Sequence, residues 1–272
     1  MNDAQSEARG FAGRTILAVF AHPDDESLAC GGTLARLADS GARVVLICAS
    51  RGESGSVSDE SLLATRDLAG VRSDELREAA RTLGIDEVDV LIGDHPDGDL
   101  RWADVSEFHE EIVAAIARYR PDGVITFAED GLYWHLDHIG VHERTYTAVR
   151  SFGADAPPLY YVTIPKGVMR AVVEAGPRGE AYGENKFWGI EPDVFGEAAK
   201  PPTFVIDVRA WVSKKLAALS CHRTQIGPGH PFARLGEGEA RRLLGLEHFR
   251  RAPTESRWES IIEQMGEPVP SA

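Results

Sequence analysis

Four short apolar runs, each followed by a stretch of helical spacing, constrain the fold of this 272-residue chain more than any other feature. Residues 15–21 (TILAVFA) are uniformly apolar and stop at a proline, the pattern of a strand buried on both faces. Leu28, Leu34 and Leu37 then recur at helical intervals over residues 27–40, and Gly41 closes the segment. Residues 43–49 (RVVLICA) read as a second strand, residues 62–83 as a helix stopped by Gly84, and residues 88–92 as a third strand. An amphipathic helix follows over 105–119, halted ahead of Pro121, then a strand over 123–127 (GVITF) and a helix over 139–152. Strand–helix alternation of this kind predicts an α/β fold, a Rossmann-like three-layer sandwich with a mainly parallel sheet. Beyond residue 152 the signal weakens. Residues 159–164 and 204–208 suit strands and 212–222 a helix, whereas 165–202 is rich in Gly, Pro and Glu without periodicity. The expectation is a single domain over 14–264 with a less regular C-terminal lobe, a flexible N-terminus over 1–13 and a tail over 265–272.

The chemistry sits where two of these strands end. The first strand runs into Ala21-His22-Pro23-Asp24-Asp25-Glu26, an imidazole and three carboxylates in five residues. In open parallel sheets, ligands bind just beyond the carboxyl ends of the strands. Such crowded negative charge is costly unless a cation offsets it. A helix cap by Asp24 or Asp25 is the plainer reading of that turn taken alone. After the fourth strand comes Tyr133-Trp134-His135-Leu136-Asp137-His138. A doubly wound sheet can set the ends of its first and fourth strands side by side, which would join the clusters. Two histidines and a carboxylate, with a position left for water, form a catalytic rather than a structural zinc set. His142, four residues beyond His138, is a competing ligand on the same helical face.

Composition narrows the partners. A net charge of -14 disfavours nucleic acid and anionic membrane surfaces and suits a cation or a neutral sugar. Cys30, Cys48 and Cys221 are too few and too scattered for a disulfide framework and read as buried thiols. The polar first 13 residues lack the apolar core of a signal peptide, and no run approaches the ~20 apolar residues of a membrane helix. A cytoplasmic protein without membrane insertion is expected. Oligomeric state is not legible, and a homo-oligomer is compatible with the sequence.

Together, AHPDDE and HxDH resemble the LmbE-like (PIG-L) family of zinc-dependent deacetylases, over roughly residues 15–152. That resemblance implies removal of an acetyl group from an N-acetylglucosamine-type substrate, with Zn²⁺ as cofactor; Fe²⁺ binds the same type of site. By position it implies metal ligation by His22, Asp25 and His138, with Asp24 as general base. It further implies that His135 stabilises the oxyanion, that Asp137 holds the His135 imidazole protonated, and that Tyr133 contacts the intermediate. Arg51 and Glu53 lie in a loop like the family's Gly-Glu-x-Gly segment, and Arg72 and Asp97 match its sugar-binding positions. Ser220–Gln225 resembles a segment ending in His-x-Thr/Ser-Gln. An amidase acting on S-conjugates of a sugar-linked thiol would use the same chemistry. A metal-binding module without catalysis would have no use for both Asp24 and His135. Nucleotide binding fits poorly, because no GxGxxG follows the first strand, and no GxSxG elbow supports a serine hydrolase.

Overall fold

A computed structural model describes residues 10–102, 105–176 and 185–269. Positions 1–9, 177–184 and 270–272, which hold most of the expected N-terminal segment, part of the 165–202 excursion and the chain end, lie outside the described residues.

The strands are β1 (Thr15–Phe20), β2 (Arg43–Cys48), β3 (Val90–Ile92), β4 (Gly123–Phe127), β5 (Leu159–Thr163), β6 (Phe204–Asp207), β7 (Leu246–Arg251) and β8 (Gly266–Pro268). They form one sheet in the order β3-β2-β1-β4-β5-β7-β6-β8. The first five are mutually parallel, and β7, β6 and β8 extend the sheet antiparallel. Residues Ile16 to Phe20 of β1 are wholly buried, as a central strand covered on both faces requires. Among the described residues the helices longer than four residues are α1 (Asp25–Asp39), α2 (Leu68–Leu83), α3 (Val105–Tyr119), α4 (Leu136–Arg150), α5 (Val168–Ala175), α6 (Val212–Cys221) and α7 (Glu237–Leu243). Helices α1, α2 and α6 pack on one another, and α3 packs on α4, giving the outer layers of a Rossmann-like sandwich.

Sheet order reverses at β1, which has β2 on one side and β4 on the other. The β1–β4 ladder pairs Ile16, Leu17 and Ala18 with Gly123, Val124 and Ile125, and stops short of the strands' carboxyl ends. The crevice left there is the switch point at which such sheets take ligands.

Several boundaries differ from the sequence reading. The helix expected over 62–83 begins only at Leu68, because the Asp67 carboxylate caps it by accepting from the Gly70 N–H at 2.6 Å. Glu60–Leu62 is a separate 3₁₀ turn. Helix α4 begins at Leu136 rather than 139, which puts Asp137 and His138 in its first turn. The excursion holds α5, whose Met169, Val172 and Val173 are buried at i, i+3, i+4 spacing. Eight residues flanked by Gly and Pro are too few to show that period clearly. Strand β7 is not legible in the sequence because half of LEHFRR is charged; it buries only Glu247 and Phe249 on one face. Two segments assigned to termini are ordered parts of the fold. Gly266–Pro268 pairs with β6, and Phe11 donates its N–H to the Ser40 carbonyl and packs on the core.

Candidate active site

The turn after β1 is built from its own carboxylates. Asp25 Oδ2 accepts the His22 N–H at 2.8 Å, and Glu26 Oε2 accepts the Asp24 N–H at 3.0 Å. Asp24 sits at φ 123°, a conformation side chains other than glycine rarely adopt. Asp25 then opens α1, so the turn is also the helix start that the plainer reading anticipated. Neither aspartate caps the helix with its side chain, however: Asp24 forms no side-chain cap hydrogen bond. The facing residues come from the turn between β4 and α4. Gly131 there has φ 55°, and a Cβ on it would lie 2.9 Å from His138 Cβ, so glycine lets α4 approach.

Three side chains converge where the two turns meet. His138 Nε2 lies 3.2 Å from Asp25 Oδ1 and 3.3 Å from His22 Nδ1, and His22 Nδ1 lies 3.5 Å from Asp25 Oδ2. All three residues are buried. The remaining ring nitrogens are occupied. His138 Nδ1 is 3.1 Å from the Gly131 carbonyl, and His22 Nε2 is 3.0 Å from Asp97 Oδ1 and 3.1 Å from Asp137 Oδ2. Neutral rings protonated on those outer nitrogens would present two imidazole lone pairs and a carboxylate to a single cation. Donors about 2.0–2.1 Å from a tetrahedral zinc ion stand roughly 3.3–3.4 Å apart, so set and spacing fit zinc. Burial works against charge at both His22 and Asp25. At His22 the surrounding carboxylates outweigh it and raise the imidazole well above its ordinary value. At Asp25 the two histidines outweigh it and hold the carboxyl far down.

Around this cluster is a cavity of about 180 Å³, lined among others by Asp24, Arg72, Asp97, Tyr133 and His135. Burial pushes the Asp24 carboxyl up to about 7 against the pull of Arg72. The Arg72 guanidinium is no surface ion pair: it is 4% exposed and spans Pro23 O (2.7 Å), Gly52 O (2.8 Å) and Asp24 Oδ2 (3.3 Å). Gly52, at φ 66°, passes so close that a Cβ would lie 2.3 Å from the guanidinium. Asp97 joins the site from the loop after β3. Burial raises its carboxyl, but the His22 hydrogen bond prevails and holds it at about 2.

Some expected roles do not match this geometry. The Asp137 carboxylate does not meet His135; it accepts from His22 Nε2 and from the Gly98 and Leu100 N–H groups at 2.7 and 2.9 Å. His135 instead accepts the Asp137 backbone N–H on Nδ1 at 3.3 Å. Burial, reinforced by His138 and His22, lowers His135 to about 4, so it stands here as a neutral ring. Arg51 and Glu53 are exposed and do not line the cavity. Arg51 pairs with Asp94, and Glu53 accepts the Asp97 N–H; their loop contributes Gly55 and Ser56 instead. His142 is turned away, its Nδ1 2.9 Å from the Phe127 carbonyl. The sequence reading missed Leu28, Ile190 and Gln225 as lining residues, and Trp188, one of the aromatics that could form a sugar platform, lines the cavity with them. Gln225 lay within the recognised His-x-Thr-Gln segment, whereas nothing local marks Leu28 or Ile190. Trp188, Gln225 and Ser56 also border a second cavity of about 530 Å³. All three cysteines are buried and unbridged, as expected.

Comparison with known proteins adds to this geometry. The family model described as PIG-L: GlcNAc-PI de-N-acetylase matches residues 17–149. A 1D-myo-inositol 2-acetamido-2-deoxy-alpha-D-glucopyranoside deacetylase of Thermobispora bispora is 34% identical over 266 residues, covering 88% of each chain. Among solved structures, the N,N'-diacetylchitobiose deacetylase of Pyrococcus horikoshii superposes with a TM-score of 0.61 at 22% identity, covering 88% of this chain and 84% of its own. The 4-carboxy-2-hydroxymuconate hydratase GalB of Pseudomonas putida superposes at 0.57 with 18% identity, covering 91% of this chain and 98% of its own. One fold thus carries both deacetylation and hydration, and the reaction has to be argued from side chains.

Proposed function

We propose that this chain, which belongs to the PIG-L (GlcNAc-PI de-N-acetylase) family, is a zinc-dependent hydrolase that removes the acetyl group from an N-acetylglucosamine conjugate. The observation that carries the reading is Asp24, whose carboxyl faces the cavity and Arg72 beside the closed set of His22, Asp25 and His138 without joining it. Zinc held by those three residues would supply an acidified water and polarise the amide carbonyl.

The chain's own groups account for the remaining steps. Asp24 takes the proton of the attacking water, oriented by Arg72, which touches its Oδ2. With Nδ1 already accepting the Asp137 N–H, the His135 ring carries its proton on Nε2 and offers a neutral N–H to the developing oxyanion. Asp137 serves the site through His22, whose ring it orients, and not through His135. Asp24 then returns its proton to the departing amine, the amide C–N bond breaks, and acetate and the free amino sugar leave. Asp97 and Arg72 border the sugar.

The test pairs two measurements on one preparation: bound metal by elemental analysis, and free amine released from acetylated glucosamine conjugates with and without chelator. Chelator-sensitive release with about one zinc per chain is expected. Zinc without release from any acetylated sugar, but with cleavage of an S-conjugate amide, would replace the substrate class. A folded protein without metal would overturn the assignment.

A further inference from the structure

Glu26 and His222 form a buried pair that the catalytic steps leave unused, although both lie in segments singled out in the sequence. Glu26 is 1% exposed and His222 fully buried, with Glu26 Oε1 2.9 Å from His222 Nε2. The same oxygen accepts the Ser27 hydroxyl, and Glu26 Oε2 accepts the Asp24 backbone N–H. His222 follows the last residue of α6, so the pair ties a C-terminal helix to the turn carrying the catalytic carboxylate.

The Asp24 peptide needs such a tie. At φ 123° the residue is strained, and relaxation to negative φ would re-aim its Cα–Cβ bond and with it the carboxylate. Two groups oppose that relaxation: Arg72 holds the Pro23 carbonyl on one side, and Glu26 holds the Asp24 N–H on the other. The metal cluster is braced separately, through Asp25 on the His22 N–H and Asp137 on His22 Nε2. Orientation of the base and retention of the metal are therefore separable.

We infer that Glu26, backed by His222, is a positioning residue that holds the Asp24 backbone in its strained conformation and so aims the general base. The inference rests on Asp24 being that base. In Glu26→Ala, kcat for acetylated glucosamine conjugates should fall about 100-fold, the order expected for a misplaced catalytic group, with KM and zinc per chain near wild type. Glu26→Gln, which retains an acceptor for the Asp24 N–H, should recover most of that loss and guards against a variant that fails to fold. His222→Ala should move kcat in the same direction as Glu26→Ala. In an Asp24→Ala background, Glu26→Ala should cost nothing further, because its effect passes through Asp24. A crystal structure of Glu26→Ala should show Asp24 at negative φ. Loss of zinc in Glu26→Gln, or losses that add in the double variant, would overturn the positioning role. Near-normal turnover by Asp24→Ala alone would instead remove the general-base reading on which it rests.

Discussion

At the residue scale, neighbouring side chains of one type have been given different work by their partners. Asp24 and Asp25 are adjacent and both buried, yet Asp25 contacts two imidazoles while Asp24 faces Arg72 and open cavity. Asp24→Ala should therefore reduce kcat by about 10²–10⁴-fold while the protein keeps one zinc, measured as amine release alongside elemental analysis. The histidines of α4 divide in the same way. His138→Ala should lose stoichiometric zinc, whereas His142→Ala, whose ring bonds the Phe127 carbonyl, should retain it. Retained zinc in His138→Ala would move the ligand set to His22, Asp97 and Asp137.

At the scale of elements, a break in α1 explains a buried ion pair. Cys30 leaves the helical conformation at φ -149°, which frees the N–H groups of Gly32 and Thr33. The Glu247 carboxylate from β7 accepts both, at 3.0 and 2.7 Å, and is neutralised by Lys215 of α6 at 2.6 Å. One residue thus fastens the antiparallel extension of the sheet to the helix that carries the site. Glu247→Ala leaves a buried ammonium and two buried N–H groups unpaired, and should cost about 3–5 kcal/mol in urea unfolding. The aromatic cluster of Phe187, Trp188 and Phe232 encloses His230, which burial and then Arg234 lower to about 4. An imidazole depressed when folded is neutral in both states above about 6.5. As pH falls below that, the unfolded chain takes up the proton first and stability declines, until the folded ring also titrates near 4. The loss attributable to His230 is up to about 3 kcal/mol. His230→Asn, which keeps a cap for the following turn, should flatten that acid limb in melts between pH 6.5 and 4.

At the scale of the molecule, the proposed ligand set would join chain positions 22, 25 and 138, so an ion bound there would staple the two halves of the parallel sheet. Zinc at 100 times its dissociation constant should add about 2.7 kcal/mol of stability. For a protein of this size that is roughly 5–10 °C in Tm, reversed by chelator and absent in His138→Ala. Among the described residues no helix is long and apolar enough to cross a membrane. Much of the architecture was legible beforehand, because strands buried on both faces are written as apolar runs, and β1, β2, β4 and β5 fall where those runs lie. Strand β7 and helix α5 were not legible, the one because its buried face includes the polar Glu247 and the other because eight residues barely establish a period.

The amino-acid sequence by itself determined the layered α/β fold, the two site clusters and their residue types, because periodicity and local motifs are properties of neighbouring positions. What each polar group does was decided only by the tertiary structure. Asp137 went to His22 rather than His135, Arg51 and Glu53 stayed outside the cavity, and Glu26 found its partner 196 positions away. Hydrogen bonds and ion pairs act over a few ångströms with strict direction. Which donor meets which acceptor therefore depends on how the elements pack, and spacing along the chain carries no record of it.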